Sequence, residues 1–328
     1  MDKFRAYRID EQDGKVVAGF QQLTLDDLSA GNVVIKVSHS TINYKDALAA
    51  TGAGKILRRF PLNGGIDLAG TVVSSEDSEV PEGAAVLVNG CGLSETVDGG
   101  YSEYARVDSK CIIPVPPGMT AAQAMQIGTA GYTAALAIHR MEQNGQRPEN
   151  GPVVVTGATG GVGSVAIDML AGRGYEAVAV TGKATEEAYL KSIGASRILL
   201  RKDIDLGKRP MEKALWAGAI DNLGGEYLAW LTRTTDYGGN IASIGLAASH
   251  ELSTTVLPFI LRAVCLLGIN SVDTPRALRL AVWCRIGSDL KPQHLDTIGH
   301  TTIGFDDLPQ AFQAYLDGTV TGRTVVAL

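Results

Sequence analysis

The chain has 328 residues, 45% of them hydrophobic and 20% charged, with a formal net charge of −6. That length buries a sizeable core and favours two domains, while the acidic balance and the lack of a basic run exclude general nucleic-acid binding. The four cysteines, Cys91, Cys111, Cys265 and Cys284, form no C-x-x-C pair, so neither a zinc lobe nor a disulfide scaffold is expected.

In chain order, "MDKFRAYRID" lacks an apolar leader core, and no later run approaches the roughly eighteen apolar residues of a membrane span. A soluble, cytoplasmic protein is expected. Residues 1 to about 125 are rich in β-branched residues and punctuated by glycine. "VVIKVSHSTI", "LAGTVVSS", "GAAVLVNG" and "EYARVDSKCIIPVP" predict short strands of a β-rich domain. "PVPPGMT" closes it, because its prolines fix φ and remove donors, and Thr120 stands where a helix cap belongs. After the helical "GTAGYTAALAIHRM", strands and helices alternate. Strands are expected at 153–156, 177–180, 197–200, 217–221, 240–245 and 264–269, with helices from about 163 and over 185–193. Apolar strands between amphipathic helices predict a parallel sheet covered on both faces. The fold class is therefore α/β, with a β-rich domain at 1–125, a nucleotide-binding domain at 126–274, and a closing segment, 275–328, whose last strand returns to the first domain.

The strand "VVVT" runs into a turn carrying Gly157, Gly160, Gly161 and Gly163. Gly157 permits a tight turn, Gly160 close approach of a pyrophosphate, and Gly163 close helix packing. The helix start that follows offers unpaired N–H groups and a positive dipole end to that pyrophosphate. The spacing departs from G-x-G-x-x-G, but the strand–turn–helix setting supports a dinucleotide site, and no G-K-[ST] ending suggests a nucleoside triphosphate. The second strand ends in Thr181, Gly182 and Lys183 where an acidic residue would repel a 2′-phosphate, and Arg201 follows the third strand. NADPH is expected over NADH.

In the first domain, "NYKD" and the later Asp67 concentrate polar groups at turns. Tyr44 and Asp46 could orient a carbonyl or supply a proton, and Asn43 could hold a substrate or nicotinamide amide. Equally, Asn43 could simply cap a helix, with Tyr44 a half-buried aromatic. Lys55, Arg58 and Arg59 cluster positive charge that either grips phosphates or faces solvent.

"NYKDALAATGAGKILRRFPLNGGIDLAGTV", "VVVTGATGGVGSVAIDML", "YLKSIGASRILLR" and "GRTVVAL" together resemble the zinc-free medium-chain dehydrogenase/reductases, on the acrylyl-CoA reductase branch of the quinone oxidoreductase-like proteins. The resemblance spans essentially the whole chain. It implies a GroES-like catalytic domain, a central Rossmann domain, a homodimer and NADPH-dependent reduction of acryloyl-CoA to propanoyl-CoA. It implies NADPH contacts from Tyr44, Thr159, Gly160, Gly161, Val162, Thr181, Gly182, Lys183 and Arg201. On the nicotinamide side it implies Leu246, Ala247, the segment around Ile260, Ser271 and Arg323. The catalytic candidates are Tyr44, Asn43, Asp46, Asp67 and Arg323. Alcohol dehydrogenases of this superfamily place a cysteine ligand where this chain has Asn43 or Tyr44, and a His-Glu pair where it has Ile66 and Asp67. They carry a four-cysteine lobe where Cys91 stands alone. No metal is expected. Without zinc an enoyl thioester is a sensible acceptor, since conjugation already activates its Cβ for hydride. The alternatives are reduction of quinones or free α,β-unsaturated carbonyls on the same fold, or a nucleotide-bound scaffold without reductase activity.

Overall fold

A computed structural model describes residues 3–328. The chain forms two compact units: one takes the chain through Thr129, Val272–Cys284 and Gly299–Leu328, the other Ala130–Ser271 and Arg285–Ile298.

In the first unit a seven-stranded sheet centres on the strand Val33–Ile42, which pairs antiparallel with Asp67–Ser75, Tyr104–Val107 and Thr324–Ala327. The core-facing side chains Val33, Ile35, Val37, Leu68, Val72, Val86 and Val88 form one apolar cluster, following the two-residue period of the strands. The closing strand Thr324–Ala327 sets Thr324 opposite Ile42 and also pairs parallel with Thr301–Gly304. A second, three-stranded sheet begins with the hairpin Phe4–Gln12 and Lys15–Leu23, joined at Asp13 and Gly14, both at positive φ. The sequence reading missed this hairpin, although Asp-Gly between alternating runs is its usual signal.

The second unit is a six-stranded parallel sheet. Its spatial order is Arg197–Leu200, Ala177–Thr181, Val153–Thr156, Trp216–Asp221, Thr235–Ser243 and Cys265–Gly268. Numbered along the chain this is 3-2-1-4-5-6, the doubly wound order whose direction reverses beside the first strand. The helix Gly161–Gly172 starts two residues earlier than expected, with Gly160 as its cap.

The segment Arg285–Ile298 corrects the expected boundary, because it belongs with this second unit rather than with the first. The reason is polar: Asp168, 1% exposed on the helix Gly161–Gly172, accepts from His294 N at 3.0 Å and faces His294 Nδ1 at 2.9 Å. Arg285 pairs with Glu142 at 2.7 Å. A buried carboxylate without such partners would be costly.

The first unit holds its amino-terminal sheet by a buried ion pair, Arg8 Nη1 to Asp98 Oδ1 at 3.1 Å. Asp98 also accepts from Asn63 N at 2.8 Å and from Ser29 N and Oγ, both at 2.7 Å. Asp98→Ala strips one partner from a buried pair and orphans three further donors. It is expected to cost about 3–5 kcal/mol in urea unfolding. A loss within the ~0.5 kcal/mol of ordinary surface substitutions would show that the pair does not hold the sheet.

Candidate functional site

In the second unit, the turn between Val153–Thr156 and its helix is shaped by two close approaches. Gly157 has φ +60°, and a Cβ on Gly163 would overlap the Gly157 carbonyl oxygen. The helix entrance therefore lies directly on the turn, and Thr159, Gly160, Gly161 and Val162 line it with the first N–H groups of a twelve-residue helix. Beside it, Thr156 Oγ1 donates to Asp221 Oδ1 at 2.7 Å, and Asp221 Oδ2 accepts from Gly224 N at 2.8 Å. Asn222 Nδ2 donates to Thr156 O at 2.7 Å. Burial raises the Asp221 carboxyl above its ordinary value, against these hydrogen bonds. Asp221 and Asn222 thus fix the ends of the two strands between which the sheet order reverses, where ligands of such sheets bind. The sequence reading did not assign them, although "DNLGG" directly after an apolar strand marks a turn there.

The second strand ends at Thr181, whose Oγ1 accepts from Lys183 N at 3.0 Å. Arg201 opens the short turn after the edge strand Arg197–Leu200 and swings over Gly182. Its Nη2 lies 2.5 Å from where a Cβ on Gly182 would sit, and its guanidinium is 6.0 Å from the Tyr227 ring centroid. Burial holds the Lys183 ammonium below its ordinary value, with Glu186 opposing. The structure therefore brings together Thr181, Gly182, Lys183 and Arg201, a hydroxyl, an open backbone and two cations suited to a phosphate monoester. Leu246 and Ala247 follow the next strands, with Ala247 N donating to Asn222 O at 3.4 Å. Ser271 follows Ile269, whose N–H reaches Ser243 O at 3.1 Å, so both segments leave the same end of the sheet. Ile260 stands apart within this unit. It is 67% exposed on the helix Leu257–Arg262, whose Arg262 is anchored on Arg233 O, Thr235 O and Glu212 O.

The first unit carries the other candidates in one buried polar cluster. Asn43 caps the helix Tyr44–Thr51, and its N–H donates to Asp46 Oδ2 at 2.8 Å, as the N-x-x-D spacing allows. The Asn43 amide does more than cap. Nδ2 donates to Asp46 Oδ2 at 3.1 Å and to Asp67 Oδ2 at 2.8 Å, while Oδ1 accepts from Arg323 Nη1 at 3.0 Å. Asp46 Oδ1 accepts from Ile66 N at 2.9 Å, and Asp67 Oδ1 from Thr129 N at 2.9 Å and Thr129 Oγ1 at 2.6 Å. Arg323 also donates to Thr41 Oγ1 at 2.7 Å and Gln126 O at 3.1 Å. The cluster closes tightly around Gly128, at φ +51° within the segment Ala121–Gln143, where a Cβ would stand 2.6 Å from Arg323 Nη2 and 2.9 Å from Asp67 Oδ2.

Burial, and then the nearby Asp67 carboxylate, push Asp46 up to about 7. Asp46 and Asp67 are enclosed, at 1% and 0% exposure, with all four carboxylate oxygens engaged. They hold the helix start, and so does Arg323. Tyr44, the first helical residue, is 49% exposed and is the polar group this start presents outward. The structure shows the cap reading of "NYKD", with Asn43 at the helix start and Tyr44 half-exposed beside it. Thr41 and Thr129 were missed because neither lies in a recognisable motif.

Two family models match: residues 29–117 match the alcohol dehydrogenase GroES-like domain, and residues 161–283 match the zinc-binding dehydrogenase model. The acrylyl-CoA reductase of Ruegeria pomeroyi is 45% identical over 318 residues, 97% of this chain and 96% of that protein. The chain belongs to the zinc-independent medium-chain dehydrogenase/reductases of the acrylyl-CoA reductase type. Among solved members, the YhdH oxidoreductase of Salmonella enterica in complex with NADP is 46% identical, with 99% of each chain covered and a TM-score of 0.95. The Bacillus subtilis protein YhfP, with NAD bound, is 45% identical over 100% of both chains, at a TM-score of 0.97. The name of the second model implies zinc, and this reductase-type chain does not fit it. Asn43 is committed to two carboxylates and an arginine, and no group of three His, Cys, Asp or Glu among the described residues could hold a metal ion.

The cation pair predicts cofactor choice. Lys183→Ala is expected to weaken NADPH binding by about 1.5–3 kcal/mol and to leave NADH nearly unchanged, with Arg201→Ala acting in the same direction. Fluorescence titration of both cofactors checks this, and equal losses for the two would remove the 2′-phosphate assignment.

Proposed function

We propose that this chain is an NADPH-dependent reductase of the conjugated C=C bond of a short 2-enoyl-CoA, with acryloyl-CoA giving propanoyl-CoA as the leading reaction. The observation that carries the reading is the 45% identity, over 97% of this chain, to the acrylyl-CoA reductase of Ruegeria pomeroyi. When bound, NADPH supplies a hydride to Cβ of the acceptor. Thr159–Val162 and the helix start behind them hold its pyrophosphate, while Lys183 and Arg201 hold its 2′-phosphate. The protein's remaining work is electrostatic. Charge develops on the thioester oxygen as Cβ is reduced, and a hydrogen-bond donor there stabilises it. Tyr44 gives its phenol proton to Cα, or orients a water that does, and solvent returns a proton to the phenolate or hydroxide left behind. Asn43, Asp46, Asp67 and Arg323 fix the helix start from which Tyr44 projects.

Exposed Lys55, Arg58 and Arg59 offer positive charge to the phosphates of the CoA carrier. Arg59 is partly committed, donating to Thr96 O at 2.7 Å and Ser29 Oγ at 2.6 Å. A second reading, reduction of quinones, draws on the provisional quinone oxidoreductase name of the Bacillus subtilis relative. We place the protein in the cytoplasm. Its four cysteines form no disulfide, which suits a reducing compartment, and no helix among the described residues is long and apolar enough to cross a membrane.

A homodimer is part of the proposal. The strand Cys265–Gly268 is an unpaired edge of its sheet, and Val256, Ile260, Leu261 and Leu266 nearby in the chain are large, exposed apolar residues. Sedimentation velocity should report a two-chain species, and a monomer at micromolar concentration would remove this part.

NADPH oxidation with acryloyl-CoA, crotonoyl-CoA, acrolein and a benzoquinone, measured side by side, tests the reading. Acryloyl-CoA is expected to give the highest kcat/KM; a higher value with benzoquinone would hand the assignment to the second reading. With the preferred acceptor, Tyr44→Phe should lower kcat and kcat/KM together by about 10–100-fold while NADPH affinity holds. Wild-type turnover in Tyr44→Phe would leave the phenol without a catalytic part.

A further inference from the structure

Cys91 and Cys111 are twenty residues apart in the chain and meet in the first unit. The strands Ala85–Asn89 and Ile113–Pro114 pair antiparallel, with Val86 opposite Pro114 and Leu87 opposite Ile113. Asn89 ends the first of these strands, and Cys111 closes a short 3-10 turn, Ser109–Cys111, that leads through Ile112 into the second, so the two cysteines flank the same end of the pair. Gly90 and Cys91 follow Asn89 at φ +67° and +53°, a left-handed pair that turns the chain sharply. Both cysteines are half-buried against the same apolar cluster, beside Leu93 and Ile112.

The Cys111 thiol is the largest influence on Cys91, lowering it to about 7 against the opposing effect of burial. Four charged groups face the pair. Arg279 and Arg276 favour the Cys91 thiolate and Asp108 opposes it, while Lys110 sits beside Cys111. Arg279 is 2% exposed and held by Asn89 O and by Val272 O at 2.8 Å; Arg276 caps Ser109 O, Lys110 O and Ile112 O at 3.3, 2.9 and 2.7 Å. Both cations are therefore fixed in place by backbone carbonyls on the two segments that carry the cysteines. Cys111 moves the opposite way, its thiol held protonated by Cys91 and by burial. One thiol is thus an attacking group and the other a resolving group.

We propose that Cys91 and Cys111 are a modification site for peroxides, closing to a reversible disulfide. The Cys91 thiolate attacks one oxygen of hydrogen peroxide and the O–O bond breaks; hydroxide leaves and takes a proton to become water, and Cys91 becomes a sulfenic acid. Cys111 sulfur then attacks Cys91 sulfur, the S–O bond breaks, and a second water leaves with the Cys111 proton. Two thiols are oxidised by two electrons, and one peroxide is reduced to two waters. A cytosolic dithiol of this kind is a transient sensor rather than a structural staple.

The test treats the reduced protein with one equivalent of hydrogen peroxide and maps its peptides by mass. The expected product has lost the mass of two hydrogen atoms, links the Cys91 and Cys111 peptides, and returns to the dithiol with dithiothreitol. Cys111→Ser should stop at a Cys91 sulfenic acid that dimedone traps, and Cys91→Ser should leave Cys111 unoxidised. These conservative changes keep the packing, and thermal melting of each variant checks its fold. Unchanged thiols, direct passage of Cys91 to sulfinic acid in the unaltered protein, cross-linking through exposed Cys284 alone, or an undimedonated Cys91 in Cys111→Ser would each overturn the proposal.

Discussion

One amide organises the first unit's polar centre. Asn43 donates both Nδ2 hydrogens to carboxylates on different segments and accepts from an arginine on a third. No other uncharged side chain of that size does all three, since an amide combines two donors with a carbonyl acceptor. Burial raises the Asp46 carboxyl, and repulsion from the neighbouring Asp67 carboxylate adds to it. The bridging amide and Arg323 make the arrangement tolerable, and the helix start inherits its position from it. Partial loss of such a network costs more than never having built it, because every remaining member is left buried with an unmet bond.

The second unit solves a different problem with backbone rather than side chains. Its ligand is a large polyanion, and fixed N–H groups at a helix start bind phosphate without placing a charge in the fold. Side-chain charge stands beside the second strand's end, at Lys183 and Arg201. The family accommodates both NADP-bound and NAD-bound members at nearly equal similarity to this chain, so overall likeness does not decide the cofactor.

What could be read in the letters was what is local. The glycine turn, the parallel strands and the absence of an acidic residue at the end of the strand Ala177–Thr181 all lie within a few residues of a recognisable pattern, and Asn43 with Asp46 has the spacing of a helix cap. The Asn43–Arg323 bond joins residues 280 apart, and nothing in either neighbourhood announces the other. Asp67 stood among the catalytic candidates as a polar group at a turn; its partners, Thr129 and Asn43, come from other segments and enclose it. Cysteine spacing showed no C-x-x-C, and only the pairing of Ala85–Asn89 with Ile113–Pro114 sets Cys91 and Cys111 at the same end of two strands. The boundary at Arg285 escaped for the same reason, because its helix looks like any other until Asp168 and Glu142 claim its neighbours.

The interleaving of the two units has a consequence for synthesis. Strand Thr324–Ala327 pairs with Val33–Ile42, so the first unit stays open along that side until the ribosome has made the second unit in full. The second unit also waits, though less long, for Arg285–Ile298. During translation the nascent chain therefore holds a β-rich lobe whose buried carboxylates, Asp46 and Asp67, still lack their arginine. Contacts of such long separation form slowly and leave strand edges exposed meanwhile. A chaperone that shelters the strand Val33–Ile42 would act during this interval, and a ribosome stalled shortly before Arg323 would release a chain with a complete nucleotide fold and an unfinished catalytic one.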